Sequence, residues 1–252
     1  MNNFLELKNI IKDYRGEAGS KLLVLDKINF TINEDDYITS VLAPAGCGKT
    51  TLLRIISGLD YEYEGSILLK GNKVINKLPF IPENPSSFPW LDVEGNIKIV
   101  FRMLDNLGST IDYKLQELID LTGLTGYEKH FPDNKSYGFR FRISLARAIA
   151  VSSQIILLDD PFKLMNAETK EELLQLIKNI SSSRGLRFLI STSNITDSFE
   201  ISNRIFLMSN NPASVIEDIQ IGKNSQGSEQ RKNELKVLLE KGNLKSLANL
   251  SI

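Results

Sequence analysis

The chain has 252 residues, 42% of them hydrophobic and 24% charged, with 30 basic against 31 acidic side chains. Such a length supports one large α/β domain or two small ones, and a net charge of −1 creates no field favouring nucleic acid. The longest charge-free runs, Tyr37–Gly48 and Ile205–Ile216, reach twelve residues, short of the ~20 apolar residues of a membrane helix. From the N-terminus, MNNFLELKNIIKDYRG mixes charged and apolar residues, so no signal peptide is expected. FLELKNI alternates and Leu23–Phe30 is apolar and partly β-branched, with Gly16 and Gly19 marking a turn between two strands. Asp36–Leu42 (DYITSVL) is a short β-rich run entering a loop over Pro44–Gly48, and Thr50–Ser57 (TTLLRIIS) has helical periodicity with Gly58 as its stop. A further β stretch, SILLKGNKV, follows.

Residues 92–130 are helical by the spacing of Ile97, Val100, Phe101 and Leu104, then Leu115, Leu118 and Ile119. Phe139–Val151 is an amphipathic helix, IILLDD a buried strand, and Glu168–Ile180 a helix with Leu173, Leu174, Ile177 and Ile180 on one face and Asn166 as its cap. RFLIST and RIFLMS are two more apolar strands. Strands alternating with helices predict a mainly parallel sheet in an α/β fold. From Gly222 the chain turns polar before a short amphipathic helix near Leu235–Leu239, so a domain over residues 1–222 is expected to carry a tail over 223–252. The single cysteine, Cys47, excludes an internal disulfide framework and suits a reducing cytoplasm.

The stretch A-P-A-G-C-G-K-T, Ala43 to Thr50, is a glycine-rich turn of fixed length ending in Gly-Lys-Thr. Gly46 and Gly48 let backbone amides approach phosphate oxygens where a Cβ would obstruct them. Lys49 supplies positive charge for the β- and γ-phosphates, Thr50 a hydroxyl for Mg²⁺, and the helix that follows, with Thr51 in its first turn, adds its dipole. Ala43 stands where the pattern has its first glycine, at a cost of ~1–2 kcal/mol only where that position needs a left-handed backbone. Strand, loop and helix come in the order a nucleotide site requires, so Ala43, Pro44, Ala45, Gly46, Cys47, Gly48, Lys49, Thr50 and Thr51 are expected to hold ATP.

APAGCGKTTLLRIISGL, SSFPWLDVEGNI, SYGFRFRISLARAIAV, IILLDDPFKLMNAETKEELL and the ISTSN segment before RIFLM, read together, resemble an ABC-transporter ATP-binding subunit of the nitrate/sulfonate/taurine importer type. The resemblance runs to about residue 215. It implies a P-loop α/β fold with an N-terminal antiparallel β portion and a helical subdomain near residues 84–150. Tyr14 falls where the family sets an aromatic ring against adenine; an ordinary strand-end tyrosine is the other reading. Asp159 is implied to bind Mg²⁺ through water. Glu83 falls at the glutamine that meets Mg²⁺ and the attacking water, and Asp160 at the catalytic glutamate. Ser136, Tyr137 and Gly138 occupy a serine-glycine-glycine signature that grips nucleotide bound to the opposite subunit. Asn166 replaces an aspartate, and Ser193 a switch histidine.

These departures bear on chemistry. Asp160 is one methylene short of glutamate, and a base must come within ~2.6–3.2 Å of its proton or act through water. Ser193 is shorter than an imidazole and never cationic; the only histidine, His130, lies elsewhere in the sequence. Glu83 adds negative charge beside a triphosphate, and Tyr137 puts a phenol where a bare backbone is usual. The chain is expected to bind MgATP through Lys49, Thr50 and Asp159 and to hydrolyse it slowly or not at all, with Asp160 as the base. The resemblance implies a peripheral protein on the cytoplasmic face of the membrane, working as a homodimer or heterodimer with permease subunits; the Pro89–Trp90 region is either a permease contact or core packing. The alternative is a hydrolysis-silent regulatory subunit paired with a competent ATPase. A small-molecule kinase is disfavoured because no basic lid motif appears, and a DNA-repair ATPase because long coiled-coil insertions are lacking.

Overall fold

A computed structural model describes residues 3–15, 20–73, 78–104, 111–133, 135–210, 212–221 and 232–235. The expected turn at Gly16 and Gly19 and most of the tail lie outside the described residues. The chain forms two compact units, one of residues 1–78 with 187–252 and the other of 79–186. In chain order the first unit begins with β1 (Asn3–Arg15), β2 (Lys21–Asn33), β3 (Ile38–Leu42), α1 (Lys49–Ile56), β4 (Glu64–Leu69) and β5 (Asn72–Lys73). The second holds β6 (Phe80–Ile81), α2 (Val93–Met103), α3 (Ile111–Leu121), α4 (Tyr137–Ala150), β7 (Ile155–Asp159) and α5 (Ala167–Arg184). The first unit then resumes with β8 (Arg187–Thr192), α6 (Ile195–Ile201), β9 (Arg204–Met208) and β10 (Val215–Gln220).

Within the first unit, β1 pairs antiparallel with both β2 and β4, and β4 turns through Lys70 and Gly71 into β5, giving the N-terminal antiparallel sheet. The second sheet is built around β3. It runs parallel to β8 on one side and β9 on the other, with β10 antiparallel on the outer edge of β9. All five residues of β3 are buried, which is why ITSVL lacks the apolar–polar alternation of a half-exposed strand. Above it, α1 buries Leu52, Leu53, Ile55 and Ile56. Leu42, Ile195, Ile205 and Leu207 form a core cluster that also takes Leu235, which is fully buried in the single described turn of the tail. Among the described residues of the tail, Leu235 anchors this turn, a burial contributing about 1.5–3 kcal/mol.

In the second unit, Val93, Ile97 and Phe101 of α2 pack with Leu115, Leu118 and Ile119 of α3 and Ile143, Ala146 and Ala150 of α4. Ile97, Phe101, Leu115, Leu118 and Ile119 are repeats of the sequence turned inward; Val100 is partly buried against them and Leu104 is exposed. β6 is only two residues long and pairs in parallel with β7, Phe80 opposite Leu157 and Ile81 opposite Leu158. Asn166 caps α5 as expected, its Oδ1 accepting from Thr169 N at 2.8 Å. α4 starts earlier than the periodicity suggests, at Tyr137 rather than Phe139.

Candidate functional site

The phosphate loop leaves the sheet from the C-terminal end of β3, where Ala43 N donates to Thr192 O of β8 at 3.1 Å. Among the described residues, the non-glycines with positive φ are Asn9, Lys27, Lys70, Ser152 and Asp160. Ala43 has an ordinary backbone and is buried, so the alanine incurs no left-handed penalty. Gly46 does need to be glycine: its φ is +76°, and a Cβ built there would meet nothing within 4 Å. That open space above a left-handed bend is a cradle for an anion, set against the start of α1. Lys49, buried, folds back over the loop and donates from Nζ to Ala43 O at 3.0 Å and Pro44 O at 2.9 Å. Bend, cation and helix start together fit a triphosphate. Cys47 is fully buried, and burial pushes its thiol up against the opposing influence of Lys49, so it packs rather than reacts.

Tyr14, at the end of β1, stands beside the same helix: its hydroxyl lies 3.3 Å from Thr51 Oγ1. Beneath the ring is Lys12, with Nζ 4.9 Å from its centroid. Lys12 is itself buried and held by Asp60 Oδ1 at 2.9 Å and Glu62 O at 2.6 Å. Tyr14 also borders a cleft of about 570 Å³ lined with Ile11, Tyr63 and Glu64. Ser193 follows directly on Thr192, the register partner of Leu42, and so sits at the same edge as the loop. Asn194 then caps α6 by accepting from Asp197 N at 3.1 Å. The first unit thus gathers Tyr14, residues 43–51 and Ser193 at one edge.

The second unit carries the carboxylates. Because Ile81 is level with Leu158, Glu83 and Asp160 each stand two residues beyond a register pair, at the ends of neighbouring parallel strands. Asp159 is the buried last residue of β7. Asp160 has φ 44°, a left-handed conformation that aspartate tolerates better than most residues. Lys163, which the sequence did not single out, places Nζ 2.9 Å from Glu83 Oε1. That contact raises the lysine's pKa, with a smaller contribution from Asp160 and Asp159. Among the described residues no three His, Cys, Asp or Glu side chains gather to hold a metal. Asp159 and Glu83 are carboxylates of the kind Mg²⁺ meets when it arrives on nucleotide phosphates with several of its waters, rather than in an all-protein cage.

Ser136 caps α4, its Oγ accepting from Phe139 N at 3.2 Å. Tyr137 is the first helical residue, and its ring stacks under the Arg140 guanidinium at 4.4 Å; the phenol leaves the helix start undistorted. Gly138 is fixed by packing as well, since a Cβ there would come 2.4 Å from Thr169 Cγ2 of α5. The segment before α2 is organised by Asn96, which is fully buried. Asn96 Oδ1 accepts from Phe88 N at 2.8 Å, and its Nδ2 donates to Phe88 O, Leu91 O and Asp92 O at 3.1, 2.9 and 3.0 Å. Held this way, the segment projects Trp90, which is 69% exposed, so the core-packing reading of this residue fails. A cleft of about 520 Å³ lined by Asn84, Pro85, Ser87, Pro89, Lys135 and Arg140 adjoins it. His130 is exposed and meets only the edge of Tyr127 among described ring contacts.

Comparison with known proteins bears on the family and the fold. Residues 25–163 match the family described as ABC transporter. The aliphatic sulfonates import ATP-binding protein SsuB of Bacillus anthracis is 33% identical over 210 residues, 82% of this chain and 82% of that protein. The spermidine/putrescine import ATP-binding protein PotA of Clostridioides difficile (strain 630) is 30% identical over 214 residues, 82% of this chain and 60% of that protein. The fold matches a dimeric post-hydrolysis ATP-binding cassette bound to ADP and Pi, with a TM-score of 0.75 and 23% identity over 87% of this chain and all of that one.

Proposed function

Because the chain belongs to the ABC transporter family, we propose that it is the ATP-binding subunit of an importer, binding MgATP at the Lys49 loop and hydrolysing it slowly. The observation carrying this reading is the loop itself, with Lys49 folded over an open cradle at Gly46 and Ser193 at the same sheet edge. Two copies, or this chain and a similar one, close on ATP with Ser136 and Gly138 of one facing the loop of the other. Asp160 serves as the base, at the reduced rate its shorter side chain sets, and Ser193 supplies no cation to the γ-phosphate. Mg²⁺ would neutralise phosphate charge when bound; Thr50 of the first unit and Asp159 and Glu83 of the second are the residues that would hold it.

Among the described residues no helix is long and apolar enough to cross a membrane, and exposed Trp90 beside its cleft offers an apolar foothold for a permease subunit at the cytoplasmic face. The relatives named above import different solutes, so the solute is selected outside the shared ATP-binding residues. The test is phosphate release by the purified chain with MgATP, against Lys49→Ala as the control that does not bind. Release slow but above the control supports this reading. Failure of the unmodified chain to bind MgATP overturns it. Release equal to the control, with ATP bound, reassigns the chain as a holding subunit.

A second expectation concerns the base. Alanine substitution of an aromatic that stacks on a base costs about 1–3 kcal/mol, so Tyr14→Ala weakens ATP binding about 5- to 150-fold, whereas Tyr14→Phe, which keeps the ring, leaves it within about twofold. Equal losses in the two variants, measured by equilibrium binding, would assign Tyr14 to the Thr51 tether instead.

A further inference from the structure

Lys12 is a charge that the fold of the first unit buries, at 3% exposure, and that no step of the proposed chemistry uses. β1 shifts register against β2 on both sides of it, and irregularities of this kind re-aim a side chain. Nζ is thereby brought to Asp60 Oδ1 and Glu62 O, beneath the Tyr14 ring. Asp60 is in turn fastened to the end of α1, its N donating to Arg54 O at 3.2 Å, and α1 is the helix that begins at the phosphate loop. All of these residues belong to the first unit. Exchanging a buried ion pair for apolar side chains is often neutral for stability, so folding alone does not call for a lysine here. What the lysine adds is a cation on one face of an aromatic ring whose residue stays 41% exposed. An ammonium there attracts the π cloud of the ring and holds its orientation. A ring so polarised repels the π cloud of a stacked base less.

We propose that Lys12 is a positioning residue for the nucleotide base: it acts through the Tyr14 ring, which it holds and polarises from beneath while Asp60 ties it to α1. The ring is thus set for the base of an ATP whose phosphates lie on the Lys49 loop. This rests on the reading that ATP occupies that loop and stacks its base on Tyr14.

The test is equilibrium binding to the full chain of MgATP and of magnesium tripolyphosphate, which has the phosphates without the base. Lys12→Met weakens MgATP binding about three- to tenfold, within the loss that Tyr14→Ala causes, and leaves tripolyphosphate within about twofold. Added to Tyr14→Ala, Lys12→Met changes MgATP binding by less than about twofold, because the ring through which it acts is gone. Added to Tyr14→Phe, which keeps a ring over the ammonium, its loss persists. Tripolyphosphate weakened as much as MgATP overturns the proposal, since a merely structural lysine loosens the whole site. Losses that multiply in the Tyr14→Ala background overturn it too. Should Lys12→Met fail to fold, Lys12→Met together with Asp60→Asn, which leaves no lone charge buried, is read by the same criteria. An unmodified chain that does not bind MgATP defeats the functional reading itself. Tyr14→Ala without effect defeats the base stacking and this proposal with it; a Tyr14→Ala loss that Lys12→Met does not share defeats only the role of Lys12.

Discussion

Asp160→Glu raises the rate of ATP hydrolysis by on the order of ten- to a hundredfold. A reacting group misplaced by ~1 Å loses about a hundredfold in rate, and one methylene is the difference between the aspartate here and a glutamate reaching from the same Cα. Asp160 sits at the end of β7 in a left-handed backbone, φ 44°. Glutamate is less at ease there, so the variant is expected to lose stability by less than about 1 kcal/mol while gaining rate. The gain belongs in kcat with KM unchanged, because the added reach is used in the transition state. Ser193→His, placing an imidazole at the same edge as the phosphate loop, is expected to add to it. Single-turnover phosphate release over the series Asp160→Asn, unmodified and Asp160→Glu is the measurement. A rate that does not rise on going to glutamate means that the base lies elsewhere or that Asp160 already reaches its water.

Asn96→Ala lowers the melting temperature by about 5–12 °C. Asn96 is fully buried and serves four backbone groups with one side chain. Truncation takes this partner from Phe88 N and Leu91 O, while Phe88 O keeps Leu91 N and Asp92 O keeps Asn96 N, and each buried polar group left unsatisfied costs about 1–3 kcal/mol. Some of these groups relax toward water, so about 2–4 kcal/mol in all is expected, at about 2–4 °C per kcal/mol for a chain of this size. Trp90 is the only tryptophan, and it sits in the segment Asn96 holds, so its fluorescence anisotropy falls in the same variant. A melting temperature within about 1 °C of the unmodified chain would show that the segment is held by its remaining contacts. Chief among these are Ser144 Oγ and Arg147 Nη1, both donating to Ser86 O, at 3.0 and 2.9 Å.

Long periodic elements and the loop were legible in the sequence because each has a local cause. The buried run of β7, the stripe of α5 with its Asn166 cap, and the Gly-Lys-Thr turn all depend on residues close in the chain. What escaped depends on distant residues. β6 has two residues, too few for any period to show, yet its register brings Lys163 to Glu83 eighty positions away. The early start of α4 was hidden because Tyr137 and Gly138 are poor helix formers; Ser136 caps them and Thr169 requires the glycine. Lys12 reads as a surface residue of an alternating strand, and only Asp60, Glu62 O and the Tyr14 ring explain its burial. The start of α6 did carry a local signal, Asn194 three residues before Asp197, the spacing of a capped first turn.

Lys49, clasped to Ala43 O and Pro44 O, competes within the molecule for its own ligand's place. A ligand gains this ammonium only by offering acceptors better than two peptide carbonyls. Phosphate oxygens do so, because hydrogen bonds to ionised acceptors are roughly twice as strong as neutral ones; a nucleoside without phosphates does not. Polyphosphate oxygens are therefore the acceptors that would draw the buried Lys49 ammonium off Ala43 O and Pro44 O.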